Sequence, residues 1–294
     1  MALNSFKESW QIGDIIRAPG KLVLAGEYAI LDGAPAVVLA INRGVECEVA
    51  EGNGFSTPMN DTRFIDHARP LTKHHKLIFR DWNPVSEIAS DCKPGFGGSG
   101  AACVIATRLM DMSWKSALQI HRQVQGGGSG IDVKASILGG MFIWDPKEEN
   151  THALSPYNPV VVWTGQSAKT GPRVQQYLNY NNREWFVRNS IRFTQLFLEN
   201  PITGTQALYK NLVMMSRESG LSYLTPNIES IVALANQCGG AAKPSGAGGG
   251  DCIVAFFDTL EKKQLFVEEI NTHPIFCCID YDISQGVHIV KKSD

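Results

Sequence analysis

The chain has 294 residues, 27 Lys and Arg against 29 Asp and Glu, and a formal net charge of -2. Hydrophobic residues make up 44% and charged residues 19%, values of a folded chain of one large domain or two medium ones. There is no basic stripe to attract nucleic acid and no apolar run long enough to span a bilayer.

The first segment, MALNSFKESWQIGDII, is polar and mixed, without the basic start and apolar core of a signal peptide. The seven cysteines (Cys47, Cys92, Cys103, Cys238, Cys252, Cys277 and Cys278) form no CxxC pair, and several sit in apolar company, as in CIVAFF and IFCCID. Buried free thiols are expected, and with them a reducing, cytoplasmic setting. No His or Cys lies at zinc-ligand spacing. The Lys73-His74-His75-Lys76 cluster reads as a solvated turn.

Strand-like runs come first: IIRAPGKLVLAGEYAIL, then APAVVLAI and VECEVAE, rich in Val, Ile and Leu. Residues 53 to 76 are polar and irregular, a loop with short strands. KPGFGGSG then leads into AACVIATRLMDM, which reads as a buried helix over 99–112 with Ser99 as its N-cap. SALQIHRQVQ reads as a second helix, stopped by Gly126-Gly127-Gly128, and SGIDVKASILGG leads to the strand MFIWD. VVVWTG is the next strand, and from Asn182 to Cys238 the pattern is helical almost throughout. A second glycine cluster, KPSGAGGGDC, precedes the strand CIVAFF. The helix LEKKQLFVEEINTH and a last β segment close the chain. The character changes near residue 155, which suggests domains of 1–155 and 156–294 and an α+β fold without the regular repeat of a doubly wound sheet.

Glycine runs that open a helix expose backbone N–H groups beside the positive end of the helix dipole, and so can cradle phosphate. A glycine cluster can equally be a tight turn. Two clusters, each preceded by Lys-Pro and followed by an apolar run, favour anion binding. GxxxxGK[ST] is absent, which excludes a P-loop. Gly95 to Gly100 formally matches GxGxxG, but two helical segments follow where a dinucleotide fold needs a second strand. No HRD or DFG motif supports a protein kinase.

Three segments in order, APGKLVLAGEYAIL, KPGFGGSGAA and KPSGAGGGDC, resemble the three motifs of the GHMP kinases, and SGIDVKASILGG resembles the segment with their active-site aspartate. The resemblance runs from about residue 17 to 257. It implies a two-domain fold, a mixed α/β N-terminal domain with a left-handed crossover and a ferredoxin-like C-terminal domain. It implies ATP and Mg²⁺ as cofactors. Tyr28 in AGEYA, Asp251 in GGGDC, HRQVQGGGSGIDV and WTGQSAKTGPRVQQ are most similar to the phosphomevalonate kinases. That likeness implies a small anionic substrate, phosphomevalonate, handled by a monomer or homodimer with no nucleic-acid or membrane partner.

The resemblance also assigns roles. Lys21 and Asp132 match the catalytic lysine and aspartate, and Asp132 could also cap a helix. Ser99 matches the serine that contacts Mg²⁺ and the phosphates. Gly95, Gly97, Gly98, Gly100 and Ala101 would offer backbone to ATP, with Lys93 beside them. Ser129, Thr170, Ser245, Gly246 and Ala247 fall where substrate is held, and Lys169 adds a cation next to Thr170. Glu27 and Tyr28 either face the substrate or finish a strand. Two departures stand out. Gly98 replaces the first serine of motif two, and His121 occupies the region where mevalonate kinases place a Mg²⁺-binding glutamate. The competing readings are a mevalonate or other GHMP kinase, a non-catalytic sensor of the same fold and, more distantly, a nicotinamide dehydrogenase.

Overall fold

Two β-sheets share one apolar core. In the computed structural model, which describes residues 9–89, 92–147, 150–168 and 170–291, the first sheet is built on β1 (Ile15–Ala25) and β2 (Ala36–Ala50), paired antiparallel. β2 is one 15-residue strand where the sequence suggested two runs. Its second half pairs with β4 (Lys76–Trp82) and its first half with β5 (Met141–Asp145), so the Asn42-Arg43-Gly44 interruption does not break it. β3 (Gly54–Ser56) runs parallel to β4, and β6 (Asn150–Ala153) extends β5. β1 stops at Ala25, short of the expected Leu31. Gly26 turns the chain at φ +89°, and a short 3-10 helix follows over Ala29–Asp32.

Two helices cover one face of this sheet, α1 (Gly98–Leu109) and α3 (Ile131–Leu138), and α2 (Trp114–Gln125) packs on both of them. Ala101, Ile105 and Leu109 of α1 pack on Ile16, Val45, Cys47, Leu77 and Phe79.

The second sheet has the order β10 (Cys277–Cys278), β7 (Val160–Trp163), β9 (Cys252–Phe256) and β8 (Ala241–Pro244), all antiparallel. Strand alternation divides its side chains between two cores. Val161, Trp163, Cys252 and Val254 meet Leu22, Leu24, Val37 and Leu39 of the first sheet, together with Phe197 of α5 (Arg183–Glu199) and Leu208 of α6 (Pro201–Ser219). Val160, Val162, Ile253 and Ala255 face α7 (Pro226–Gln237) and α8 (Leu260–Thr272). A further helix, α4 (Thr170–Leu178), was not foreseen from the sequence.

The chain passes from the first sheet to the second between β6 and β7. It returns at its end, where β11 (His288–Val290) pairs with Ile15–Arg17 of β1. The two sheets are therefore not two successive stretches of sequence. The mixed α+β fold agrees with the expectation from sequence. The seven cysteines are free, four of them buried. No helix among the described residues is long and apolar enough to cross a membrane.

Candidate active site

Several helices far from the glycine clusters are capped by side chains. Ser113, Asn200, Thr225 and Thr259 accept from the backbone N–H three residues on, at the starts of α2, α6, α7 and α8. α1 and α3 start differently. Their N-caps are Gly97 and Gly130, both left-handed, and no side chain caps either. The first N–H groups of a helix have no partner within it, so the start of α1 presents bare donors and the positive end of a dipole, whereas at the start of α3 Ile131 N–H donates to Ser129 Oγ at 3.4 Å and Val133 N–H to Asp132 Oδ1 at 3.0 Å. This corrects the sequence reading of Ser99 as an N-cap. Ser99 lies inside the first turn of α1 because Gly97, at φ +81°, has already turned the chain. Asp132 likewise sits in the first turn of α3 and does not cap it.

The glycine loop is fixed to β1 through Lys21. The Lys21 backbone N–H donates to Phe96 O at 2.8 Å, and its Nζ donates to Gly95 O at 2.8 Å. The glycines are required by what lies against them. A Cβ on Gly97 would stand 2.9 Å from Asp132 Cβ, and one on Gly100 would stand 2.8 Å from Asp132 Oδ2. Asp132 thus lies across the start of α1. Its Oδ1 accepts from Val133 N–H at 3.0 Å, and its Oδ2 lies 3.2 Å from His121 Nε2. Ser99 Oγ is 3.2 Å from the same nitrogen.

The second glycine cluster closes on the first from the other sheet. Ser245 Oγ accepts from Val23 N–H at 2.8 Å, which anchors the loop to β1 two residues beyond Lys21. Gly246, at φ +105°, leaves room for the Lys21 ammonium, whose Nζ would be 3.5 Å from a Cβ there. Tyr28 OH donates to Ala247 O at 2.5 Å, and burial raises the pKa of that phenol. Glu27 is turned to Lys243 in a buried ion pair. Its Oε2 has no partner, and the residue lines the cavity.

The segment after β7 ties the two clusters together. Ser167 Oγ accepts from Lys93 N–H at 2.7 Å and donates to Lys93 O at 2.9 Å. Gln166 Nε2 donates to Gly249 O at 3.0 Å, and Gln166 O accepts from Asp251 N–H at 2.8 Å. Ala168 N–H donates to Asp251 Oδ1 at 2.8 Å. Burial raises the pKa of the Asp251 carboxyl, against the opposing pull of that N–H, Lys21 and Arg173. The Arg173 guanidinium packs over Gly249.

One cavity of about 740 Å³ collects these parts. Lys21, Glu27, Tyr28, Lys93, Gly95, Gly97, Gly98, Ser99, Ser129, Asp132, Ser245, Gly246 and Ala247 line it, so nearly all the residues singled out from sequence come together. Gly100 and Ala101 are buried just behind its wall in α1. Thr170 opens α4, and Lys169 lies outside the described residues. The residues that sequence reading left without a role here are His121, Gln166, Ser167, Arg173, Lys243 and Asp251. Among the described residues no group of three or more His, Cys, Asp or Glu side chains forms a metal cage. The oxygens present, the Ser99 hydroxyl and the Asp132 carboxylate, suit a hard cation that keeps most of its coordination on a nucleotide.

Residues 203–275 match the family described as GHMP kinases C terminal. A mevalonate kinase from Archaeoglobus fulgidus is 27% identical over 277 residues, spanning 87% of this chain and 96% of its own length. A phosphomevalonate kinase from a Streptomyces species is 25% identical over 343 residues, spanning 84% and 91%. The solved structure of a Lin0012 protein from Listeria innocua has the same fold, with a TM-score of 0.84 at 21% identity over 95% of this chain and 100% of that one. The ordered glycine segments, their convergence on Lys21 and Asp132, and these matches make the chain similar to the GHMP kinases over most of its length.

Proposed function

We propose that this chain is an ATP-dependent phosphotransferase whose acceptor is phosphomevalonate. The observation that carries the reading is the position of Lys21. Its ammonium is hydrogen-bonded to the first glycine loop and lies beside Gly246 of the second, and Lys21 lines the one cavity that both loops share. A fixed cation between two phosphate-sized cradles is what transfer of a phosphoryl group needs, because charge gathers on the transferring oxygens.

In this reading the bare N–H groups of Gly98 and Ser99 and the dipole of α1 hold the ATP phosphates. Ser99 Oγ and Asp132 would be the protein oxygens for Mg²⁺, which would supply positive charge against the phosphate oxygens. An acceptor oxygen attacks the terminal phosphorus, the bond to the ADP oxygen breaks, and ADP leaves. Lys21 stabilises the oxygens between them. Asp132 has one oxygen on Val133 N–H and the other facing His121 Nε2, so it is held for orientation more than for taking a proton. That arrangement suits an acceptor that is already anionic. A phosphate monoester carries about -1.5 to -2 at pH 7 and needs no general base, whereas an alcohol gains from one. Arg173 over Gly249 and Lys93 on the cavity wall are the cations for such a substrate.

Mevalonate is the second reading, supported by the likeness to the Archaeoglobus mevalonate kinase. An ADP-release assay across mevalonate, phosphomevalonate, homoserine and galactose tests both. Release that depends on phosphomevalonate supports the proposal, and release with none of the four removes it.

A further inference from the structure

The ring of His121 is buried behind the active-site face of α1 and α3, with 1% of its side chain exposed. Phe64 stacks on it, centroids 5.0 Å apart at 29°. Its Nδ1 is buried without a partner. Its Nε2 lies 3.2 Å from Ser99 Oγ and 3.2 Å from Asp132 Oδ2, two groups on different helices that both line the cavity. A carboxylate only accepts, so Nε2 carries the hydrogen and donates to Asp132. Ser99 Oγ flanks the same N–H, which leaves its own hydrogen free for an acceptor in the cavity. A histidine filling a core gap would not need to join two cavity-lining groups through one atom.

We propose that His121 is a positioning residue of the phosphoryl-transfer centre. Its single buried N–H sets the Asp132 carboxylate and the Ser99 hydroxyl toward the nucleotide phosphates and their cation. One buried donor thus organises the two oxygen groups that face the cavity from α1 and α3. The inference rests on the phosphotransferase reading but not on which acceptor is used.

The test compares three variants. His121→Phe keeps a ring against Phe64 and removes the donor. His121→Gln places an amide N–H near the position of Nε2. His121→Asn is too short to reach Asp132. Loss of a partner that orients metal ligands typically costs 10- to 100-fold, so H121F and H121N should lose about that factor in kcat while the acceptor KM shifts by less than ~3-fold. H121Q should recover most of the loss. A second arm needs no acceptor: calorimetry with a non-hydrolysable ATP analogue, with Mg²⁺ and with EDTA. The affinity gained from Mg²⁺ should shrink by about 10-fold or more in H121F and H121N and return in H121Q. An unchanged gain in H121F, or H121Q as impaired as H121N, overturns the proposal. If H121F does not fold, the contrast of H121Q with H121N decides the same point. If the wild type phosphorylates no acceptor, the functional reading fails, and the calorimetric arm still decides the role of His121.

Discussion

Lys243 Nζ is paired with the Glu27 carboxylate, and both side chains are sealed from water, at 0% and 1% exposure. The lysine also donates to Val23 O at 3.2 Å and Pro244 O at 3.1 Å, so the pair joins the end of β8 to the end of β1 at the cavity wall, which Glu27 helps to form. Burial lowers the Lys243 pKa, and Glu27 opposes that shift. Removing one member of a buried pair leaves the other charge uncompensated, typically at 3–5 kcal/mol. Lys243→Met should therefore lose about 3–5 kcal/mol of unfolding free energy in denaturant titration. The double variant Lys243→Met with Glu27→Leu should regain much of it. A single variant with the wild-type midpoint would show that the pair is not a structural clamp.

Glycines 97 and 98 are neighbours with different demands. Gly97 has φ +81° and no space for a Cβ, whereas a Cβ on Gly98 would meet only Val45 Cγ2 at 3.7 Å. Gly97→Ala should cost about 1–2 kcal/mol from the left-handed backbone alone, and should displace Asp132 and cut turnover. Gly98→Ala should change stability by less than about 0.5 kcal/mol. Equal effects of the two would contradict the placement of Asp132 across the start of α1.

Asp251 gives a pH-dependent prediction. Its folded pKa is raised, chiefly by burial, so the native state binds this proton more readily than the unfolded chain. The carboxylate therefore opposes folding once it is charged, and its penalty fades as pH falls through the folded value toward the ordinary one near ~3.9. Asp251→Asn keeps the acceptor for Ala168 N–H and tolerates the φ of +57°. The variant should be more stable than wild type at pH 7, with the difference shrinking toward pH ~4. A difference that is constant across that range would contradict the burial penalty.

The parts of the site carried by glycine were legible in the sequence, because a glycine run records positive φ and close approach in the residues themselves. Contacts across long stretches of chain were not. Lys243 and Glu27 are 216 residues apart, and Ser167 and Lys93 are 74 apart, and neither pairing leaves a local mark. β2 was read as two runs because Asn42-Arg43-Gly44 breaks its apolar pattern, yet ladders on both edges keep it continuous. Ser99 was misread as a cap because serine is a favoured cap, whereas Gly97 had already started the helix. Ser99→Ala should accordingly leave the thermal midpoint nearly unchanged and weaken only Mg²⁺-nucleotide binding. A clear loss of stability would restore the capping role.

The proposed transfer of a phosphoryl group from ATP to phosphomevalonate is decided by offering mevalonate and phosphomevalonate at equal concentration with Mg²⁺-ATP and identifying the products by mass spectrometry. Lys21→Met and Asp132→Asn serve as controls, each expected to lose about 100-fold or more in kcat as groups acting on the transition state. Diphosphomevalonate is expected as the main product of the wild type. Faster formation of phosphomevalonate from mevalonate, or full turnover in either control, would contradict it.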